Sequence, residues 1–381
     1  MDFTFTEEQV RFKESVVKFS LRELNDGVTE RDKKGEFFRE GWRKCADFGI
    51  LGLPVPKEYG GLEADIVTCA VLMQGLGYAC RDSGLLFVMG SHIWTCEIPI
   101  LHFGTKEQKE KFLPRLCKGE IIGGHAITEP DSGSDAFGLK TTAVKDGDRY
   151  ILNGSKMFIS NAPIADILLI FARTDKAKGF GGISAFIVEK GFPGFSVGKP
   201  LEKMGLKTAP IGEVILQDCP VPVENRLGKE GMASAIFNSE MDWERCCLFA
   251  TQLGVMEYQV ETCVKYAKER PQFGKPIGKY QSISHKIADM KMRIELGSLI
   301  LYKVAWMKAQ GKKAPIESAI AKVYVSESYV KSSLDAIQIH GGYGYMTEFG
   351  LEKDLRDSIA GKIYSGTSEI QRNIIASWLG L

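Results

Sequence analysis

The chain has 381 residues, 44% hydrophobic and 25% charged, which is ordinary globular composition with room for two or three domains and a sizeable core. Its 49 lysines and arginines balance 48 aspartates and glutamates for a formal charge of +1. The basic excess of a nucleic-acid binder is therefore absent. No uncharged apolar run approaches the roughly 18 residues of a membrane span. The opening residues, Met1-Asp2-Phe3-Thr4-Phe5-Thr6-Glu7-Glu8, lack the basic start of a signal peptide. The expectation is a soluble cytoplasmic protein with no nucleic-acid or membrane partner.

In chain order, residues 1–120 read as an α-helical N-terminal domain. Thr6 and Gln9 have capping-box spacing, and Phe12, Val16 and Phe19 recur at helical spacing. Loops follow at Pro54-Val55-Pro56 and Tyr59-Gly60-Gly61, and Thr105 with Gln108 offers a second capping box. Residues 121–225 change texture. Asp146-Gly147 marks a hairpin, and short β-branched apolar runs at 167–171, 185–188 and 214–216 predict strands. Pro193, Pro200, Pro210, Pro220 and Pro222 disfavour long helices there. Residues 226–381 turn helical again, with apolar stripes near 233–268, 280–310, 315–340 and 367–379. The texture predicts helices, then a small β domain, then a C-terminal four-helix bundle.

The nine cysteines include no Cys-x-x-Cys pair, and Cys246 and Cys247 are adjacent. Buried, reduced thiols in a reducing compartment are expected. The five histidines lie far apart, so no metal site is expected. Two segments invite ligands. In 126–135, Ala126-Ile127-Thr128-Glu129-Pro130-Asp131-Ser132-Gly133-Ser134-Asp135, hydroxyls and backbone N–H groups crowd a helix-to-strand boundary, as either a polar-ligand loop or a simple Asx/Ser turn. His340-Gly341-Gly342-Tyr343-Gly344 follows a helical stretch. It is either a place for close backbone approach to a phosphate or a neighbouring chain, or a plain turn between helices.

Five motifs in order resemble the acyl-CoA dehydrogenase family of flavoproteins over essentially the whole chain. They are Thr128 to Asp135; Lys156-Met157-Phe158-Ile159-Ser160-Asn161-Ala162, followed by Asp166; Arg270-Pro271-Gln272-Phe273-Gly274, followed by Gln281, Ala288 and Met290; Gln338 to Gly344; and Tyr364-Ser365-Gly366-Thr367-Ser368-Glu369-Ile370-Gln371. The resemblance implies an α-helical N-terminal domain, a central β-barrel and a C-terminal four-helix bundle. It also implies non-covalent FAD and a homotetramer with FAD at a subunit interface. Carried over by position, Ala126, Ile127, Thr128, Phe158 and Ser160 would line the flavin ring, and Gly133 and Ser134 would hold nearby phosphate or acyl-chain atoms. Arg270, Phe273, Gln281, Gln338, Gly341 and Gly342 would contact the adenosine pyrophosphate, partly from a second subunit. Thr367, Glu369 and Gln371 would sit around the cofactor near the C-terminus. Phe158 stands where the family has Trp, and Ser160 where it has Thr.

Most members of the family place the catalytic Glu immediately before the C-terminal Gly-Thr. Here that residue is Ser365, whose hydroxyl is far too weakly basic. A smaller branch, exemplified by isovaleryl-CoA dehydrogenase, supplies the Glu from an earlier bundle helix, and Trp243-Glu244-Arg245-Cys246-Cys247-Leu248-Phe249-Ala250 matches that setting. The resemblance makes Glu244 the α-proton base, the alternative being a structural pairing with Arg245 or another cation. Within that branch, Asn161 to Asp166, Trp243 to Ala250 and Tyr364 to Ser368 are similar to L-prolyl-carrier-protein dehydrogenases of secondary metabolite biosynthesis, of the anatoxin-pathway type. The implied substrate is proline held as a thioester on a phosphopantetheinyl carrier protein. Ser134, Met241, Phe249 and Ser365 are candidate substrate contacts, and an electron-transferring flavoprotein or oxygen is the acceptor. A short branched-chain acyl-CoA dehydrogenase and a catalytically silent flavin-binding scaffold are the alternatives.

Overall fold

The computed structural model describes residues 4–381; Met1, Asp2 and Phe3, part of the leader reading, lie outside the described residues. The first helix starts where its cap dictates. Thr6 Oγ1 accepts from Gln9 N at 3.2 Å while Gln9 Oε1 accepts from Thr6 N at 3.0 Å, which satisfies two donors that a helix start leaves free. This opens α1 (Glu7–Glu23), which buries Val16 and Phe19. There follow α2 (Val28–Lys34), α3 (Arg39–Asp47), α4 (Ile66–Ala79), α5 (Ser83–His92), α6 (Ile98–Phe103) and α7 (Lys106–Cys117), the last opened by the Thr105–Gln108 box. A π-helical turn, Ile93–Glu97, joins α5 to α6. The continuous 83–103 stretch is long and apolar enough by length and composition to cross a membrane, but 89% of its apolar window is buried in the protein core.

The middle of the chain forms one sheet from β1 (Gly123–Ala126), β2 (Thr142–Asp146), β3 (Arg149–Ser160), β4 (Ile167–Arg173), β5 (Ile183–Glu189), β6 (Phe195–Val197), β7 (Ile211–Pro222) and β8 (Arg226–Leu227). The Asp146-Gly147 hairpin joins β2 to β3 as the sequence predicts. The ladder runs β6-β7-β3-β2-β4-β5-β8, with β1 parallel to β4, and its two ends are not joined to each other. Strand alternation divides the core. Ile167, Leu169 and Phe171 face α7 residues such as Phe112 and Leu116, whereas Leu168, Ile170 and Ala172 pack with Phe186, Val188 and Val214.

The C-terminal part consists of α8 (Ala233–Glu269), the short hairpin β9 (Pro271–Gln272) and β10 (Lys275–Pro276), α9 (Gln281–Ala309), α10 (Pro315–His340), α11 (Gly342–Tyr345), α12 (Leu351–Ala360) and α13 (Ser368–Trp378). The fourth predicted stripe is α13, and α12 precedes it. All nine cysteines are free and buried. Two glycines decide how α8 sits. A Cβ on Gly77 of α4 would lie 1.9 Å from Thr251 O, and one on Gly254 of α8 would lie 2.0 Å from Gln74 O. Only residues without side chains permit that backbone contact. It locks the middle of α8 against the N-terminal helices and holds the residues just before it, Glu244 among them, in the shared core of Trp94, Leu248, Phe249 and Val325.

Candidate active site

Glu244 lies on α8 with 7% of its surface exposed. Among the described residues it forms no ion pair within 4 Å. Arg245 does not pair with it; its Nε donates instead to Ser365 O at 3.1 Å. Burial raises the Glu244 pKa, and His125, the Ser365 hydroxyl, Arg245 and Lys322 hold back part of the rise. Ser365 therefore stands beside Glu244, and its buried Oγ makes no hydrogen bond of full geometry. The loop carrying Ser365 is bent by left-handed backbone at Ser365 (φ 56°) and Gly366 (φ 81°), and Gln371 Nε2 donates to the carbonyls of both at 3.1 Å. Tyr364 packs its ring on Phe249 and Phe87, with centroids 5.4 and 4.9 Å away. Phe249 is fully buried and Met241 nearly so. The apolar neighbourhood expected around the carboxyl is present.

The 126–135 segment leaves the end of β1, and its backbone is tied down from within. Lys156 of β3 is fully buried and donates to Glu129 Oε1 at 2.9 Å and to Ile127 O at 3.1 Å. Glu129 also accepts from Thr141 N at 2.9 Å and from Lys140 N. Burial alone would raise the Glu129 pKa; the Lys156 ammonium and these donors hold it below the usual carboxylate range. The Thr-Glu-Pro motif thus contains a buried ion pair that rigidifies Ala126, Ile127 and Thr128, and Thr128 O accepts from Met157 N at 2.9 Å. The β3–β7 register shifts between Lys156 and Ile159. At that bulge Phe158 takes φ 59° and stands 63% exposed, with Ser160 half-buried two residues on. Gly133 and Ser134 are exposed.

A second group of predicted residues meets elsewhere. Arg270, Phe273, Gly341 and Gly342 line a cavity of about 730 Å³ whose walls include Tyr266, Tyr280, Tyr343 and Met346. Phe273 sits in the β9–β10 turn at φ 48° and is 94% exposed. Gln281 and Gln338 are exposed neighbours of the lining rather than part of it. Thr367 caps α13 by accepting from Ile370 N at 3.2 Å, Glu369 is exposed, and Gln371 is buried. Four of the expected cofactor residues thus share this cavity, whereas Thr367 and Gln371 lie at the start of α13 beside Ser365. Seven described non-glycine residues have positive φ, and three of them are predicted site residues: Phe158, Phe273 and Ser365. Backbone in that region costs of order 1–3 kcal/mol and tends to persist where function requires it.

Several residues were not foreseen. His125, beside Ala126, has Nδ1 2.8 Å from Glu240 Oε1. Glu240 is fully buried and pushed up to about 7, chiefly by burial. Burial opposes protonation of His125, but the facing Glu240 and Glu244 carboxyls outweigh it and raise its pKa. Lys322 of α10 is fully buried, and its Nζ lies 5.8 Å from the Phe249 ring without a hydrogen bond. Burial and neighbouring Arg245 push it down to about 7. The only sequence signal for this group was four-residue spacing between Glu240 and Glu244, which puts both on one face of α8. Among the described residues no cluster could hold a metal ion.

Three family profiles match in succession: Acyl-CoA dehydrogenase, N-terminal domain, over residues 6–120; middle domain, over 124–219; and C-terminal domain, over 230–380. An L-prolyl-[peptidyl-carrier protein] dehydrogenase of Pseudomonas fluorescens is 43% identical across 100% of both chains. The crystal structure of the prolyl acyl carrier protein oxidase AnaB is 49% identical with TM-score 0.98, covering 99% of this chain and 100% of its own. An FAD complex of PigA is 41% identical with TM-score 0.98, covering 100% of both chains.

Proposed function

Since the chain belongs to the acyl-CoA dehydrogenase family of FAD flavoenzymes, we propose that it oxidises L-proline held as a thioester on a phosphopantetheinyl carrier protein, with Glu244 as the α-proton base. The residues fit the cofactor. Phe158 offers an exposed aromatic plate, and a cavity with an arginine, three tyrosines and two side-chain-free glycines suits an adenosine pyrophosphate. FAD, when bound, accepts the hydride.

The chain's own residues supply the rest. Glu244 is the observation that carries the reading: a buried carboxyl without an ion pair, beside the serine that replaces the family's usual base. A carboxylate whose pKa is raised toward the working pH is a better proton acceptor. It takes the Cα proton, and the electron pair left on Cα forms the new double bond as hydride departs from the ring nitrogen or Cβ. An imine results directly or after tautomerisation, giving a 1-pyrroline-carboxyl thioester; a second oxidation would give the pyrrolyl thioester. The buried surfaces of Phe249, Tyr364 and Met241 favour the neutral ring amine that this departure needs. Ser134 at the loop and Ser365 opposite Glu244 remain the polar substrate contacts.

In this reading the protein works in the cytoplasm and passes its electrons to an electron-transferring flavoprotein or to oxygen. It assembles as a homotetramer, in which the exposed Phe273, Met292, Leu296 and Leu299 are covered. The test offers the FAD-loaded protein prolyl-carrier protein and isovaleryl-CoA side by side and follows flavin bleaching. Bleaching by the prolyl carrier supports the reading, and a mass loss of two or four hydrogens distinguishes pyrroline from pyrrole. Bleaching by isovaleryl-CoA alone selects the branched-chain acyl-CoA enzyme, and a yellow protein bleached by neither selects the silent scaffold.

A further inference from the structure

A proton delivered to Glu244 is buried, and it must leave before the next turnover. Arg245 is engaged at Ser365 O, so the route does not run through it. One turn earlier on the same face of α8, Glu240 is 0% exposed; its Oε1 meets His125 Nδ1 at 2.8 Å and its Oε2 is buried without a partner. The His125 side chain, by contrast, is 19% exposed. It is flanked by the rings of Phe237 and Phe171, with centroids 6.4 and 6.1 Å away. The pair therefore runs from the sealed interior beside Glu244 toward the surface. An orphaned, fully buried carboxylate oxygen is costly unless something donates to it at some stage.

We propose that Glu240 and His125 are positioning residues for Glu244: the hydrogen-bonded pair holds a charge that sets the ionisation of Glu244 and carries its proton outward. This rests on the reading of Glu244 as the base. Cβ atoms on adjacent turns stand roughly 5–6 Å apart, so the proton passes through one water: the Glu244 O–H bond breaks as an O–H bond forms on the water, which gives one of its own protons to Glu240 Oε2. Glu240, neutralised at Oε2, no longer holds the imidazolium, and His125, its Nδ1–H still directed at Glu240 Oε1, releases a proton from Nε2. No electrons move in these steps. The charged and titratable groups facing the pair are Glu244 on α8, Lys156 on β3 and Cys96 in the π-helical turn. Lys156 is neutralised by Glu129 at 2.9 Å. Cys96 is fully buried and its thiol is held well above its ordinary range by burial. Neither is a switchable cation; Glu244 itself is also faced by Arg245, which is held at Ser365 O, by Lys322 of α10, pushed down to about 7, and by Tyr364.

The sign follows from charge. Protonated His125 favours ionised Glu244, so its removal raises the Glu244 pKa and moves the acidic limb of flavin reduction to higher pH. Glu240→Gln has the smaller effect: His125 without its carboxylate loses its proton more readily, which raises the Glu244 pKa, while the lost repulsion between the two carboxyls lowers it. Single-turnover flavin reduction of the FAD-loaded protein by prolyl-carrier protein is measured across pH for His125→Gln, Glu240→Gln and Glu240→Asp. His125→Gln is expected to move the limb by about one pH unit, a loss of about tenfold at acidic pH that shrinks as pH rises, and Glu240→Gln by less in the same direction. Glu240→Asp, which keeps the carboxylate, recovers part of the shift.

Ring NMR titration of labelled histidine gives a readout independent of turnover. His125 titrates above its ordinary value in the wild type and lower in Glu240→Gln. An unmoved limb in both glutamine variants, a uniform loss at every pH, or a His125 titration indifferent to Glu240→Gln overturns the proposal. Glu244→Gln separates the two levels. If it still bleaches at the wild-type rate, the base reading fails; if it does not bleach while the limb stays fixed in the other variants, only this inference fails.

Discussion

The surroundings of α8 and the glycine-lined cavity at the end of α10 solve opposite problems. Around α8, charges are sealed from water and several are tied to partners: Glu129 to Lys156, Glu240 to His125, and Arg245 to the Ser365 carbonyl. In the cavity, Phe273 is 94% exposed and Gly341 and Gly342 have nothing within 4 Å of where a Cβ would stand. The first region is closed to water by the chain's own side chains. The second is a surface shaped for something to be laid on it. The difference predicts that substitutions in the first cost stability, while those in the second cost ligand affinity and leave the fold alone.

Lys156→Met tests the sealed side hardest. It strands a buried Glu129 carboxylate and is expected to lower unfolding stability by about 3–5 kcal/mol, read from urea denaturation. A change within error would show that water reaches Glu129 freely. Arg270→Ala tests the open side. Losing one charge-assisted contact to the pyrophosphate should weaken FAD binding by about 1.5–3 kcal/mol, roughly tenfold or more, measured from flavin retained per protein and by titration. Full retention would place the adenosine half elsewhere. Phe273→Ser has the smallest expected effect: at saturating FAD, the stability of the isolated chain should change by no more than about 0.5 kcal/mol. A larger loss in the dilute, monomeric chain would mean that the side chain packs within its own chain; covering in the proposed tetramer would show instead as a loss that grows with protein concentration.

Much of the fold was legible because it is local. Thr6 with Gln9, Thr105 with Gln108, and Asp146-Gly147 act over three or four residues, and the alternation of 167–171 mirrors the two faces of β4. Glu244 was legible as a candidate base because Ser365 stands where the family resemblance expects the glutamate. Its companions were not. His125 and Glu240 lie 115 residues apart, and Lys156 and Glu129 lie 27 apart. Periodicity says that each faces inward, not whom it meets. Lys322 looks like an ordinary helix lysine until its burial is seen. The tyrosines of the cavity flank Arg270, Gln281 and Gly342, and that adjacency is the signal that was available.

As the proposed base, Glu244 must be needed for flavin reduction and not for holding FAD. Anaerobic rapid mixing of FAD-loaded wild-type and Glu244→Gln protein with prolyl-carrier protein tests it directly. The account predicts equal FAD content in the two proteins and flavin reduction slower by about 10²–10⁴-fold in the variant. Reduction of the variant at near the wild-type rate would contradict it.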